Sequence, residues 1–380
     1  MQGMIQNGMR GAYGAACFSA LILWQCCTSF ALAQIVDESH EGGRALYMSS
    51  ALHKGFIIIH SRDIRAVEDS YPTGFEFDIG WRNTSNEAWQ SCLCTPHIGL
   101  SLGYWDFDNP SILGRGFLTQ FFVEPHFAVA SNLSFALRAG LGLSYQNRPH
   151  HPINNPDNLS YSTRLAFPLH AGAKLQYALS PSWAAYGEAR YNHISNGGIR
   201  QPNKGINWPT ASLGVAYFPK AAPIEHREKI HWREYAEPQE RLDLFLFGTW
   251  IEPDRDIYVG SGGAELRYAK QIARLSAIQL STEWMYHGLY PYRARQEGNN
   301  QVHGWMGGLA AGHSFLLGRF LFSQQMGVYL LKPENEKRDV YQRYGLMYLL
   351  DSKWSVGVYL KAHGHVADFL DMRIAYNFLP

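Results

Sequence analysis

Over segments of about ten residues the apolar side chains of this chain fall at every second position, and that period restricts the fold more than any other feature. In Phe75-Glu76-Phe77-Asp78-Ile79-Gly80-Trp81-Arg82 the odd positions are apolar and the even ones charged or Gly. From Leu133 to Tyr145 the series Leu133, Phe135, Leu137, Ala139, Leu141, Leu143, Tyr145 alternates with Ser134, Ala136, Arg138, Gly140, Gly142 and Ser144. Near the end, Leu370, Met372, Ile374, Tyr376 and Phe378 alternate with Asp371, Arg373, Ala375 and Asn377. Successive side chains of a strand point to opposite faces, so each segment has one apolar face and one small or polar face. Gly, Pro, Asn, Asp and Ser clusters separate the segments, which predicts an all-β, antiparallel chain of about sixteen strands. Eight precede and eight follow a charged stretch, Pro219 to Arg241, that has no alternation.

A soluble sandwich would also alternate, but the length of the strands argues for a membrane barrel. About ten residues is what a tilted strand needs to cross a bilayer. Aromatic residues gather at a strand end in Gly103-Tyr104-Trp105-Asp106-Phe107, where interfacial girdles sit, and the final strand ends on Phe378. Charged residues are 17% and aromatics 14% of the chain. Outside the N-terminus no apolar run reaches the roughly 20 residues of a membrane helix. Lys plus Arg (33) balances Asp plus Glu (32), so there is no basic excess to displace counterions, and nucleic acid is excluded as a partner. The expectation is a transmembrane outer-membrane β-barrel. The period does not distinguish one wide sixteen-stranded barrel from two narrow ones, since an even strand number satisfies both.

Residues 1–33 read as a signal peptide, with Arg10, an apolar stretch Ala15–Trp24, and a small-x-small site at Ala31-Leu32-Ala33. Domains are expected at 34–220, a connector at 221–241, and 242–380. Cleavage leaves two cysteines, Cys92 and Cys94, whose C-x-C spacing suits a short-loop disulfide in an exported protein. An echo hints at two related halves: Leu175-Gln-Tyr177 and Trp183 recur as Leu346-Met-Tyr348 and Trp354 at the same spacing. Barrel hairpins share composition, so duplication stays open.

The segment Tyr191-Asn-His-Ile-Ser-Asn-Gly-Gly-Ile-Arg-Gln-Pro-Asn-Lys-Gly-Ile-Asn207 is unlike ordinary barrel sequence. The strand leading into it has Trp183, Ala185, Gly187, Ala189 and Tyr191 on its apolar face, which puts His193 and Ser195 on that face as well. The next strand, with Pro209, Ala211, Leu213, Val215 and Tyr217 outward, adds Asn207. Polar groups facing lipid are costly unless partnered or functional. A lone His there would only bond to headgroups. A Ser, a His and a third group that orients the imidazole make an activated hydroxyl nucleophile, and loop amides can stabilise an oxyanion. A site that opens into the membrane suits an ester within a lipid.

These residues resemble the catalytic segment of the outer-membrane lipid A 3-O-deacylases (PagL type, often labelled acyloxyacyl hydrolases), over about Gly55 to Lys220. The resemblance implies an eight-stranded barrel acting on lipid A of lipopolysaccharide without a cofactor. It implies His193 as general base, Ser195 as nucleophile, Gly198 and Asn203 at oxyanion-stabilising positions, and Asn196 shaping the loop. Asn207 stands where the family carries a Glu that orients the His. An amide oxygen can hold the tautomer but brings no charge to the imidazolium. The nearest acid, Glu188, has the opposite parity and faces the lumen.

In the second half the positions matching His193 and Ser195 are Gly364 and Val366, while His363 and His365 face inward. That half is expected to lack a catalytic pair. No metal cluster is evident: His226 and His231 lie in the connector and His150-His151 in a loop. The reading is an outer-membrane serine esterase that removes the 3-O-linked acyl chain of lipid A. The alternative is a catalytically decayed barrel serving as a pore, adhesin or structural protein.

Overall fold

The structure is a computed structural model that describes residues 43–220, 228–235, 239–254, 257–364 and 366–379. The expected signal peptide (residues 1–33), His226 and His365 lie outside the described residues. Strands β1 (Arg44–Gly55), β2 (Thr73–Asn83), β3 (Thr95–Asp106), β4 (Arg115–Ala128), β5 (Leu133–Gln146), β6 (Leu165–Ala178), β7 (Trp183–Ser195) and β8 (Ile206–Tyr217) form one closed antiparallel barrel. A second closed barrel is built from β9 (Glu240–Asp254), β10 (Ile257–Ala273), β11 (Ser276–His287), β12 (Trp305–Leu317), β13 (Phe320–Leu331), β14 (Val340–Leu349), β15 (Trp354–His363) and β16 (Val366–Asn377). The first closes through β1 and β8 and the second through β9 and β16. The choice between one wide barrel and two narrow ones is thereby made in favour of two. Among the described residues no helix is long and apolar enough to cross a membrane.

The alternation read from the sequence maps onto two faces. Phe75, Phe77, Leu137, Met372 and Ile374 are exposed on the outside, while Glu76, Asp78, Arg138 and Arg373 are buried inside. Eight strands leave an interior just wide enough for side chains to fill it, and here they are largely ionic. Arg138 reaches Asp78 (2.8 and 2.9 Å), Glu124 (2.9 Å) and Glu76 (3.2 Å). Arg190 bridges Glu76 and Glu188, each at 2.8 Å. In the second barrel Arg343 joins Glu283 (2.8 Å) to Asp371 (2.7 Å), and Arg373 binds Asp371 and Glu265. Each buried charge is matched, which is the condition for tolerating it.

One expectation about the aromatic residues needs correction. Tyr104 faces out, but Trp105 and Phe107 are fully buried inside the first barrel, with Trp105 and Phe107 edge-on to Trp208. The parity of β3, set by Leu100 and Leu102 outside, sends Trp105 inward. It belongs to an apolar plug beneath the loops together with Ile64, Leu113, Tyr161, Ile194 and Ile206. Long loops, 56–72, 107–114, 147–164 and 196–205, crown that end. The opposite end carries the short turns 129–132 and 179–182 and a helix, Asn86–Cys92. Cys92 and Cys94 are disulfide-bonded there. The connector rests on the same end, its Glu228 carbonyl accepting hydrogen bonds from Trp89 and Gln90.

Candidate active site

β7 and β8 meet with His193 opposite Asn207, and both belong to the outward set. The cross-strand pair is joined by one short bond, His193 Nδ1 to Asn207 Oδ1 at 2.7 Å. Gly205 makes this possible. Its φ is +70°, and a Cβ there would lie 2.7 Å from His193 Cε1, so any side chain would push the imidazole away.

A residue the sequence reading passed over completes the arrangement. Past the end of β1 the chain runs along β8, with the Ile58 N–H donating to the Asn207 carbonyl (2.8 Å), and turns His60 onto Asn207. The Asn207 Nδ2 lies 3.0 Å from His60 Nδ1, and His60 Nε2 lies 3.0 Å from the Lys204 carbonyl oxygen. His60 Nδ1 also lies 3.4 Å from the Ile58 carbonyl oxygen, but the shorter contact is that of Nε2 with the Lys204 carbonyl, and since a carbonyl only accepts, it favours the proton on Nε2. His60 Nδ1 then accepts from the Asn207 amide NH2, and Asn207 Oδ1 accepts from His193 Nδ1–H. The outcome is a His193 with its Nε2 lone pair free, the form a general base needs. No local pattern marks His60. The signal lies in barrel closure, which makes the first strand the neighbour of the last.

Ser195, the last residue of β7, pairs with Phe167 and is buried at 8% exposure although its parity is outward. Its Oγ accepts the Gly197 N–H at 3.4 Å. Among the described residues no hydrogen bond joins Ser195 to His193. They are i and i+2 on one face, and an attacking geometry requires Ser195 Oγ to turn toward Nε2, a tightening common on substrate binding.

The loop that follows is held by side-chain amides. Asn203 Oδ1 accepts the Asn196 N–H (2.8 Å), and Asn196 Oδ1 accepts the Gly198 N–H (3.1 Å). Asn196 Nδ2 donates to Ser162 Oγ (3.0 Å) and the Arg200 carbonyl (2.7 Å). Gly197 and Gly198 have φ of +68° and +79°, a conformation open mainly to glycine. The loop 147–164 pins the far side through Lys204 N–H to Leu159 and Gly205 N–H to Ser160. Outside the barrel, Lys204 and Asp63 pair at 2.9 Å, and this bond holds the Asp63 carboxyl below its usual range.

The expected exclusion of Glu188 is observed, since it is buried in the lumen against Arg190. His363 also faces inward, with Nε2 2.8 Å from the Tyr329 hydroxyl, and Val366 is exposed. One cluster of metal-ligating types escaped the sequence reading: His97, Glu124 and His126, all buried in the first barrel. Its Glu124 is already bound by His126 (2.6 Å), Lys174 (2.6 Å) and Arg138 (2.9 Å). Two full positive charges on the one carboxylate make the place unfavourable for a cation.

Residues 70–216 match the family described as "Lipid A 3-O-deacylase (PagL)", and residues 240–379 match "Acyloxyacyl hydrolase, C-terminal domain". Among solved structures, the outer membrane enzyme PagL is similar at 16% identity, covering 44% of this chain and 97% of that one, with a TM-score of 0.34. Neisserial surface protein A is similar at 15% identity, covering 46% and 96%, with a TM-score of 0.31. The N-terminal β-barrel domain of Pseudomonas aeruginosa OprF is similar at 17% identity, covering 47% and 99%, with a TM-score of 0.28. No curated protein sequence matches the chain. The two family matches fall one on each barrel, and the chain belongs to the lipid A 3-O-deacylase (PagL) family of the bacterial outer membrane.

Proposed function

We propose that the first barrel hydrolyses the 3-O-linked acyl ester of lipid A, with Ser195 as nucleophile and His193 as base. The observation that carries the reading is the hydrogen-bond chain Lys204 carbonyl, His60, Asn207, His193, which leaves one imidazole lone pair free on the outward face. Ser195 Oγ attacks the ester carbon while its proton passes to His193 Nε2. The carbonyl electrons collect on the oxygen, where the Asn203 Nδ2 group is one candidate donor and the Gly198 N–H a second, once it exchanges its bond to Asn196 Oδ1 for the oxyanion. Collapse breaks the bond to the sugar oxygen, which takes the proton from His193. Water then repeats the sequence on the acyl-serine and releases a 3-hydroxy fatty acid.

Asn207 supports this chemistry in part. It fixes the tautomer as the family's Glu would, but it brings no negative charge to the imidazolium. His60, rather than an acid, holds Asn207 in the required orientation. The test is direct: purified protein is incubated with lipopolysaccharide and the lipid is weighed by mass spectrometry. Wild type is expected to remove one hydroxyacyl chain and Ser195→Ala none. An unchanged lipid, or equal loss with both proteins, would overturn the proposal.

A further inference from the structure

The second barrel is closed unevenly. β9 pairs with β10 from Glu240 to Asp254, but with β16 only over Asp243–Gly248 against Met372–Asn377. Toward the loop-rich end, β16 from Val366 to Leu370 is paired on its β15 side alone, and β9 beyond Gly248 on its β10 side alone. Unpaired strand edges leave peptide groups that must find partners.

The partner is the loop of the first barrel that follows Ser195. The Leu370 N–H donates to the Gly197 carbonyl (3.2 Å), and the Glu252 N–H donates to the Ile199 carbonyl (2.8 Å). Arg200 and Glu252 form an isolated parallel bridge, and their side chains approach to 3.6 Å. Fit is tight as well as polar. A Cβ on Gly198 would lie 2.7 Å from the Asp368 carbonyl oxygen, and one on Gly197 would touch Phe167 at 3.2 Å and Leu370 at 3.4 Å. Asp368 sits at a register shift of β16, where Lys361 pairs with Phe369 and Ala362 with Ala367. Such a bulge re-aims a residue: the Asp368 carbonyl meets the loop, while its carboxylate turns to His287 (3.6 Å) and His363 (3.8 Å).

We infer that the open β9–β16 seam is a clamp for the catalytic loop, and that Leu370 and Glu252 of the second barrel are positioning residues of the active site. This rests on the deacylase reading for what the loop does, but the clamp stands on the contacts themselves. A loop with two consecutive glycines at positive φ loses much conformational freedom on ordering. An oxyanion hole works only when its donors are fixed before the reaction. Two main-chain bonds and an ion pair from a rigid sheet supply that order, and the loop in turn satisfies N–H groups of the seam. This gives the second barrel a role that needs no catalytic pair of its own.

The clamp is tested on the full chain in outer-membrane preparations. The double variant Arg200→Cys/Glu252→Cys places thiols at bridge partners whose native side chains approach to 3.6 Å, and under dissolved dioxygen, which takes up the two electrons and two protons of the thiols, it is expected to cross-link, read by mass spectrometry of peptides. A folded protein that keeps both thiols free would overturn the clamp. The positioning role is read from Leu370→Pro, which removes the N–H that faces the seam while also fixing the local φ, and from a second variant that leaves the backbone unaltered. The kcat of Leu370→Pro on lipopolysaccharide should fall about tenfold with KM little changed, less than the 10²–10³ of a lost oxyanion donor. Glu252→Gln, which spares the strand, should lower kcat about threefold, a loss of ~0.65 kcal/mol. Wild-type kcat in both variants would overturn the positioning role. Cross-linking in a chain that leaves lipopolysaccharide unaltered would refute the deacylase reading while supporting the clamp.

Discussion

The two barrels each bring a serine and a histidine together at their loop-rich ends, on opposite faces of the sheet. In the first, Ser195, His193 and Asn207 share the outward parity, with His193 and Asn207 half-buried and Ser195 buried. In the second, Ser261 Oγ is 3.2 Å from His287 Nδ1, and His287 Nε2 is 3.6 Å from Asp368. By residue type the second set is the better triad, since it holds a carboxylate where the first has an amide. Its Ser261 and His287 nevertheless take the inward parity, and His287 is wholly buried within the barrel. On the proposed deacylase function, a lipid ester in the membrane would meet only the outward face. Parity, more than the choice of residues, separates a site from a packed polar core.

Substitutions at four positions would test that contrast, in descending order of effect. Ser195→Ala should lower kcat on lipopolysaccharide by about 10⁴-fold or more, the scale set by loss of a serine nucleophile. Residual turnover within tenfold of wild type would place the nucleophile elsewhere. Asn207→Leu should cost about 10²–10⁴-fold, because the His193 tautomer is no longer fixed. Asn207→Glu should match or exceed wild type in the same assay, since it adds charge to the imidazolium. His60→Phe leaves the Asn207 amide free to turn, and an approximately tenfold fall in kcat is expected, in line with the ~1–1.5 kcal/mol of one hydrogen bond. His60→Gln, which still offers an acceptor, should recover part of it. Ser261→Ala should leave deacylation unaltered within about twofold, as for a residue that touches no substrate. A large loss there, with the barrel still folded by its gel mobility, would move the chemistry to the second barrel.

Much of the site was legible because strand parity is rigid. Once Tyr191 and Ala189 were placed outside, His193 and Ser195 had to follow, and the strand after the loop fixed Asn207 independently. The lumenal position of Glu188 came from the same count. Trp105 shows where the reading failed: aromatic residues at a strand end suggested a girdle, but one of two neighbours must face inward. His60 could not be found by scanning near the motif, because 147 residues separate it from Asn207. The set Ser261, His287 and Asp368 was hidden for the same reason, being spread over three strands with one member re-aimed by a bulge.

The sequence by itself determined the strands, their faces and the parity shared by the serine, histidine and asparagine, because each depends only on a two-residue period and local turns. It also determined the charged interior, since Arg and carboxylate residues occupy the inward parity of many strands. Only the tertiary structure decided that the chain closes as two barrels, that His60 sets the tautomer of His193, and that the β9–β16 seam grips the loop. These are contacts between segments far apart in the chain, made by hydrogen bonds between backbone and side-chain groups whose meeting depends on closure and register. A periodic pattern specifies which face a residue takes; it does not specify which distant strand stands beside it.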